Sequence, residues 1–318
     1  MFNKNCITTS ATAPAKYIII GEHAVIYGKP AIAAPLNSIS SIATITPTES
    51  NNYDGLYIDA PDINLSNTLD SIPKTNPIAH VIRQTLRAIN HRDPIPANLT
   101  ITSTIPIASG LGSSASVSTA ISRCIINYLG HTLTNDQISN IVYKTESLQH
   151  GNPSGIDNTV IARGVPILYS KSGPIQYLRP NKPLYYVLAD TLQPRSTLDT
   201  INTFKKQSNI HPTLFKENIR AIGNLAKDAS VAFQAGDNIS LGDLMTKNHV
   251  LLQRLGVSTQ KLDNLVDIAT ASGANGAKLS GAGHGGHIIA QVSKRTMPIV
   301  VKALKDLGAN PLTTVIAP

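Results

Sequence analysis

The sequence predicts an α+β protein folded as two domains, and three observations predict it. Short apolar strands and amphipathic helices interleave along all 318 residues, an order that builds layered α+β domains of the ferredoxin-like type. In the first half, the alternating run Leu99-Thr100-Ile101-Thr102-Ser103-Thr104-Ile105 leads through Gly110 and Gly112 into a strong helical pattern beginning at Ser113 and Ser114. Between the halves, residues 170–183 contain three prolines and Gly173, breakers that mark a boundary. The expected domains are residues 1–178 and 179–318.

The elements can be justified in order. Residues 16–20, 31–46 and 99–105 read as strands, the second with Thr, Ile and Ala alternating. Residues 50–76, rich in Asn, Asp, Ser and Pro, read as loop or irregular edge. Ile78, Val81, Ile82 and Leu86 share one face of a helix over Pro77–Ile89. After Ser114, Val117, Ala120, Ile121, Cys124, Ile125 and Tyr128 keep a helical period, and Gly130 stops it. Thr134-Asn135-Asp136-Gln137 is a capping box for a helix with Ile138, Ile141, Val142 and Leu148 inside, ending by Gly151. A loop over Asn152–Asp157 then leads to a strand at Val165–Tyr169. The second half begins with a strand at Leu184–Ala189 and continues with several helices between 197 and 272. Two short strands flank a glycine loop at 281–286, and a helix near Pro298 precedes the last strand, Leu312–Ile316.

Composition narrows the function classes. Tryptophan is absent and phenylalanine occurs only 4 times, so Ile, Leu, Val and Ala build the core. The net charge of +8 suits a polyanion, nucleic acid or a nucleoside triphosphate, or reflects basic residues spread along the chain. No block of like charges and no basic run interleaved with aromatics appears, which argues against nucleic acid. Cys6 and Cys124 are the only cysteines, so neither a disulfide framework nor a thiolate metal site is expected. With no long apolar stretch before Lys16 and none of spanning length, the expectation is a soluble, cytoplasmic protein without a membrane partner.

The densest chemical signal is Pro106-Ile107-Ala108-Ser109-Gly110-Leu111-Gly112-Ser113-Ser114-Ala115. Glycines let the backbone approach a ligand closely and adopt positive φ. The helix N-terminus that follows offers unpaired N–H groups and partial positive charge, which suit phosphate. No lysine follows the glycines, so this is not the common G-x-x-x-x-G-K-[ST] loop. Taken alone, the same residues would also serve as a plain helix cap. Glu146 falls at the margin of its helix's buried face, where a carboxylate needs a partner, either a metal ion or an arginine.

Two further segments are unusual: Gly21-Glu22-His23-Ala24-Val25-Ile26-Tyr27-Gly28-Lys29-Pro30-Ala31 and Ser280-Gly281-Ala282-Gly283-His284-Gly285-Gly286-His287. With the phosphate loop and Pro153-Ser154-Gly155-Ile156-Asp157-Asn158, they give four motifs in one order. Together they resemble the GHMP kinase superfamily, and within it the mevalonate kinase family. The resemblance runs from Lys16 to about Ile289. It implies an N-terminal ATP-binding domain with a left-handed β-α-β phosphate-loop region, a C-terminal ferredoxin-like domain and an active site in the cleft between them. It further implies phosphorylation of mevalonate by ATP in isoprenoid synthesis, and a homodimer.

Roles follow from the resemblance residue by residue. Pro106, Ser109, Gly110, Leu111, Gly112, Ser113, Ser114 and Ala115 would bind the ATP phosphates. Ser114 and Glu146 would hold Mg²⁺, a hard cation that prefers oxygen. Asp157 would be the catalytic base, although an aspartate in such a loop also forms turns. Lys16 would stabilise the developing alkoxide and keep Asp157 ionised, the alternative being a strand-end lysine in solvent. Glu22, His23, Arg195, Thr197, Gly281, Ala282 and Gly283 would line the acceptor site, with Arg195 suited to the mevalonate carboxylate or else a surface arginine.

His284 and His287 depart from the family's run of glycines ending in a small or sulfur-bearing residue. They read as a change in pocket shape rather than a metal site, since no third ligand is in view. Other readings on the same scaffold are a phosphomevalonate or sugar kinase, and a silent ligand sensor. The last would be expected to have lost Lys16, Ser114, Glu146 or Asp157, all of which are present.

Overall fold

The structure, a computed structural model, describes residues 7–48, 55–151, 153–192 and 197–318. In chain order the regular elements are β1 (Thr9–Ile20), β2 (Ala31–Pro47), β3 (Leu56–Ala60), β4 (Leu65–Thr68), α1 (Pro77–Ala88), β5 (Ala97–Ser103), α2 (Ser113–Tyr128), α3 (Asn135–His150) and α4 (Ile156–Arg163). Then come β6 (Ile167–Tyr169), β7 (Gln176–Tyr177), β8 (Leu184–Asp190), α5 (Thr197–Ile210), α6 (Pro212–Ala235), α7 (Asn238–Arg254), α8 (Gln260–Ala271), β9 (Gly276–Ser280), β10 (His287–Val292), α9 (Met297–Asp306) and β11 (Asn310–Ile316). They form two compact units. The first takes the residues up to Ala15, Ile39–Pro106 and Gly112–Gly164; the second takes Lys16–Ser38, Ile107–Leu111 and Val165–Pro318. Among the described residues, no helix is long and apolar enough to cross a membrane.

In the first unit β5 lies between two partners. It runs antiparallel to β2, with Ser41 opposite Ser103, and parallel to β3, with Leu56 opposite Ala97. Its predicted alternation is realised: Ala97, Leu99 and Ile101 are buried and the intervening residues are not. Four helices pack together beside this sheet, with α2 touching α1, α3 and α4. That position explains why α2 buries more than its apolar stripe: Ser116, Ser118, Thr119 and Ser122 are inside as well. Hydroxyls among them stay satisfied by short bonds, Ser116 to the Ala13 carbonyl at 2.8 Å and Thr119 to the Ala115 carbonyl at 2.7 Å. The capping box forms as read, with Thr134 and Gln137 bonding each other's backbone.

Two sequence expectations need correction here. Residues 56–68, expected as loop or irregular edge, include the antiparallel pair β3–β4. Their polar composition reflects an edge: β4 is the end strand, and none of its residues is buried. The stretch expected as a loop running on to a strand contains α4. Asp157, Asn158 and Thr159 are poor helix formers in isolation, but Ile156, Val160 and Ile161 are buried. Asn158 also donates its amide to the Ser139 carbonyl at 3.1 Å, so tertiary bonding carries this helix.

The second unit is centred on a four-stranded antiparallel sheet in the order β11-β8-β10-β9. Strand, helices, hairpin, helix, strand is the split-βαβ layout expected for a ferredoxin-like domain. Val187, Ala189, Leu279, Ile288 and Ala290 meet Phe215, Ile222, Leu252, Leu265 and Val300 in one buried cluster. The end of β1 and the opening of β2 also belong to this unit, where Ser280 Oγ donates to the Ile18 carbonyl at 3.1 Å.

Candidate active site

The phosphate-loop residues enter α2 with the backbone the sequence asked for. Gly110 and Gly112 adopt φ of 75° and 77°, and Gly112 occupies the N-cap without any side-chain cap. The first N–H groups of such a helix are left for a ligand. Leu111 and Ala115 are buried, so only their backbone can face one, whereas Pro106 is exposed. Ser114 Oγ lies 2.6 Å from Glu146 Oε1 and 2.5 Å from Gln149 Oε1. Glu146 and Gln149 are three apart and share a face of α3. A hydroxyl carries one proton, so Ser114 donates to one of them at a time. Turned so that its NH₂ faces the hydroxyl, the Gln149 carboxamide instead donates to Ser114, whose own hydroxyl donates to Glu146.

This donor set fits Mg²⁺. A serine hydroxyl and a carboxylate are hard oxygen ligands, and Mg²⁺ characteristically takes one or two protein ligands and completes its shell with phosphate and water. Among the described residues no group of three or more His, Cys, Asp or Glu that could hold a metal ion is found. Asp157 sits in the first turn of α4, after Gly155 at φ 85°, and is half-buried.

The second unit contributes a different kind of cluster. Lys16 is only 4% exposed in the middle of β1, not at its end as the sequence suggested, and its N–H donates to the Leu111 carbonyl at 2.9 Å. Glu22 and Lys278, both within the core, form an ion pair, and Lys278 also donates to the Leu279 carbonyl. Burial raises the Glu22 carboxyl above its usual range while Lys278, and to a lesser degree Lys16, oppose that; burial likewise lowers the Lys278 ammonium. Gly21, at φ 101°, brings the turn against β2: a Cβ there would sit 2.5 Å from Ala31 Cα. Its N–H donates to Asn248 Oδ1 at 3.1 Å.

His23 and the glycine loop meet in this unit. His23 Nε2 lies 2.9 Å from the Ala282 carbonyl, and its ring stacks on Phe204 at 4.4 Å. Gly281, Gly283, Gly285 and Gly286 all have positive φ, and a Cβ on Gly283 would stand 2.2 Å from the Val257 carbonyl oxygen. His287 is buried with Nδ1 3.2 Å from the Ser109 carbonyl, so the second glycine loop touches the first.

Of the predicted residues, the structure joins Ser114 with Glu146, Lys16 with the phosphate loop, and His23 with Ala282. Arg195 lies outside the described residues, and of Thr197 only its place at the start of α5 is described. Sequence reasoning missed Gln149, Asn248 and Lys278. The last had a signal: a lysine inside the apolar strand Ala277-Lys278-Leu279 needs a counter-charge.

Residues 76–164 match the family described as GHMP kinases N terminal domain, and residues 229–310 match GHMP kinases C terminal. A mevalonate kinase of Thermococcus onnurineus is 34% identical over 326 residues, covering 96% of this chain and 96% of the relative. The crystal structure of the Methanococcus jannaschii mevalonate kinase superposes with a TM-score of 0.84 at 26% identity, over 99% of both chains. That of the L. major mevalonate kinase in complex with R-mevalonate gives 0.82 at 28% identity, over 99% of this chain and 98% of that one. Carrying both GHMP halves in order and alike to mevalonate kinases along nearly its whole length, this chain belongs to the mevalonate kinase family of GHMP kinases.

Proposed function

We propose that the protein transfers the γ-phosphoryl group of ATP to the terminal hydroxyl of mevalonate, giving 5-phosphomevalonate and ADP for isoprenoid synthesis. The observation that carries the reading is the Ser114–Glu146 pair, two hard oxygen ligands 2.6 Å apart at a helix N-terminus entered through two left-handed glycines. The acceptor is supported by the relatives named mevalonate kinase and by the L. major enzyme crystallised with R-mevalonate.

In this mechanism the backbone N–H groups of Gly110–Ala115 bind phosphate oxygens and fix the donor. Ser114 and Glu146 would hold Mg²⁺, which would neutralise charge on the phosphates as the group is transferred. Asp157 accepts the proton of the acceptor hydroxyl as that oxygen attacks. Lys16 offsets the negative charge developing on the hydroxyl oxygen. Arg195 pairs with the acceptor's carboxylate through its fork of donors, and Glu22, His23, Thr197 and Gly281–Gly283 bound the acceptor's site. Residues 1–178 serve the nucleotide and residues 179–318 complete the acceptor side. The same reading makes the enzyme cytoplasmic and homodimeric, an expectation supported by the family alone, and gel filtration checks the dimer.

The decisive experiment is ADP release with Mg·ATP and a panel of mevalonate, phosphomevalonate, galactose and homoserine. Mevalonate-dependent turnover that Asp157→Asn lowers by about 10²–10⁴-fold is the expected result. Turnover with another acceptor would overturn the substrate, and none with any acceptor would overturn the catalytic reading.

A further inference from the structure

His287 opens β10 where the resembled family has a small or sulfur-bearing residue. It is 2% exposed and stands directly opposite Asp190 of β8 and Ser280 of β9. Its Nδ1 lies 3.2 Å from the Ser109 carbonyl oxygen. A carbonyl can only accept, so Nδ1 carries the proton, and it does so whether the ring is neutral or charged. Nε2 lies 4.0 Å from Asp190 Oδ2, too far for a hydrogen bond, while Asp190 Oδ1 accepts from the Leu192 N–H at 2.9 Å. Two residues after Ser109, the Leu111 carbonyl accepts from the Lys16 N–H at 2.9 Å. Lys16, Ser109, Leu111, Asp190 and His287 all belong to the second unit. The backbone between alternates: Ala108, Gly110 and Gly112, every second residue, have φ of 57°, 75° and 77°. Such alternation brings successive N–H groups to one side, the form of an anion-binding nest.

We propose that His287 is a positioning residue that locks the phosphate loop in its anion-binding form. The proposal rests on the phosphotransfer reading above and concerns the phosphates of the nucleotide. In a planar trans peptide the C=O and N–H point in opposite directions. Holding the Ser109 carbonyl therefore turns the Gly110 N–H away from His287, and holding the Leu111 carbonyl turns the Gly112 N–H away from Lys16. Glycine rotates at little cost, so the peptide before Gly110 needs an outside hold to keep its orientation, and the imidazole supplies it. A small residue at position 287 would leave the Ser109 carbonyl without this donor. The loop would then be ordered by the nucleotide itself, at a cost in affinity.

Two variants of the full chain test it. His287→Ser restores a small residue and removes the ring donor. His287→Asn keeps a side-chain N–H close to where Nδ1 stands. In calorimetry with Mg·AMPPNP and no acceptor present, His287→Ser is expected to raise Kd about threefold to tenfold, and His287→Asn to hold it within about twofold of the wild type. Amide hydrogen exchange over residues 107–112 is expected to quicken in His287→Ser and not in His287→Asn, with exchange in β8 and β10 unchanged in both. The proposal is overturned if His287→Ser leaves Kd and loop exchange at their wild-type values, or if His287→Asn behaves like His287→Ser. It is equally overturned if exchange quickens throughout β8 and β10, which would make His287 a core packing residue alone. Should the wild type bind no Mg·AMPPNP, the phosphotransfer reading falls and this proposal with it. Binding of Mg·AMPPNP without turnover of mevalonate removes the acceptor only, and Kd and exchange still decide the role of His287.

Discussion

Among the described residues two carboxylates lie almost out of solvent, and their surroundings could hardly differ more. Glu146, in the first unit, is 7% exposed and shares its Oε1 with the Ser114 hydroxyl, a group that adds no positive charge. Glu22, in the second, is 1% exposed and carries its own counter-ion in Lys278, itself fully buried. A carboxylate beside a serine hydroxyl at a helix N-terminus offers, with it, two hard oxygen donors to a cation that arrives with the ligand. A carboxylate that brings its own counter-ion is held in place by the core: the pair joins the Gly-Glu-His turn to the strand that opens the glycine loop. In the function proposed above, the same residue type serves metal binding in one place and holds the acceptor's turn in the other.

The comparison can be broken from either side. Lys278→Met strands a buried carboxylate, and removing one member of such a pair costs about 3–5 kcal/mol of unfolding free energy. Urea denaturation should show that loss, and the double variant with Glu22→Gln should regain part of it. A loss under about 1 kcal/mol would mean the pair is not structural. Glu146→Gln keeps shape and removes charge, so kcat/KM should fall about 10²–10³-fold while the melting temperature stays near the wild-type value. If instead it melts early with catalysis intact per folded molecule, the two carboxylates are alike after all.

Smaller effects sharpen the second unit's role as scaffold. Gly283→Ala forces a methyl to 2.2 Å from the Val257 carbonyl oxygen at a φ of +82°. The expected cost is about 1–3 kcal/mol of stability by urea denaturation, with the mevalonate KM rising alongside. The smallest effect is one of pH. His249 is buried, accepts from the Leu279 N–H at 3.3 Å and lies 3.0 Å from Asp263 Oδ1. Burial holds its imidazole below the usual range, against the pull of Asp263 and Asp267 and with the help of Lys278. The folded protein therefore binds fewer protons here than the unfolded chain, and stability rises with pH across this interval. The contribution is complete above the unfolded value of 6.5 and is lost as pH falls through it toward the lower folded value. Unfolding at about pH 7.5 and 5.5 should show a decline on acidification that His249→Gln makes shallower; an unchanged slope would remove His249 as its source.

Much of the fold was legible because its signals are local. The alternation of β5, the face of α1 and the capping box at Thr134 each depend on residues within a few positions of one another. The helix α4 was not legible, because Asp157-Asn158-Thr159 reads as a turn until Ser139, 19 residues earlier, is there to bond Asn158. That moved Asp157 from a loop to the first turn of a helix, a more rigid place for the base proposed above.

By itself the sequence determined most of the strand and helix order, the left-handed glycines before α2 and the chemical types suited to phosphoryl transfer. These follow from backbone sterics and short-range periodicity, which a chain carries wherever it goes. Only the tertiary structure decided the partners. Ser114 meets Glu146 across 32 residues and Glu22 meets Lys278 across 256, and no local rule says which buried polar group will satisfy which. The cost of leaving a buried charge or hydroxyl alone is felt only once the chain has closed around it, so that cost selects partners in space rather than in sequence.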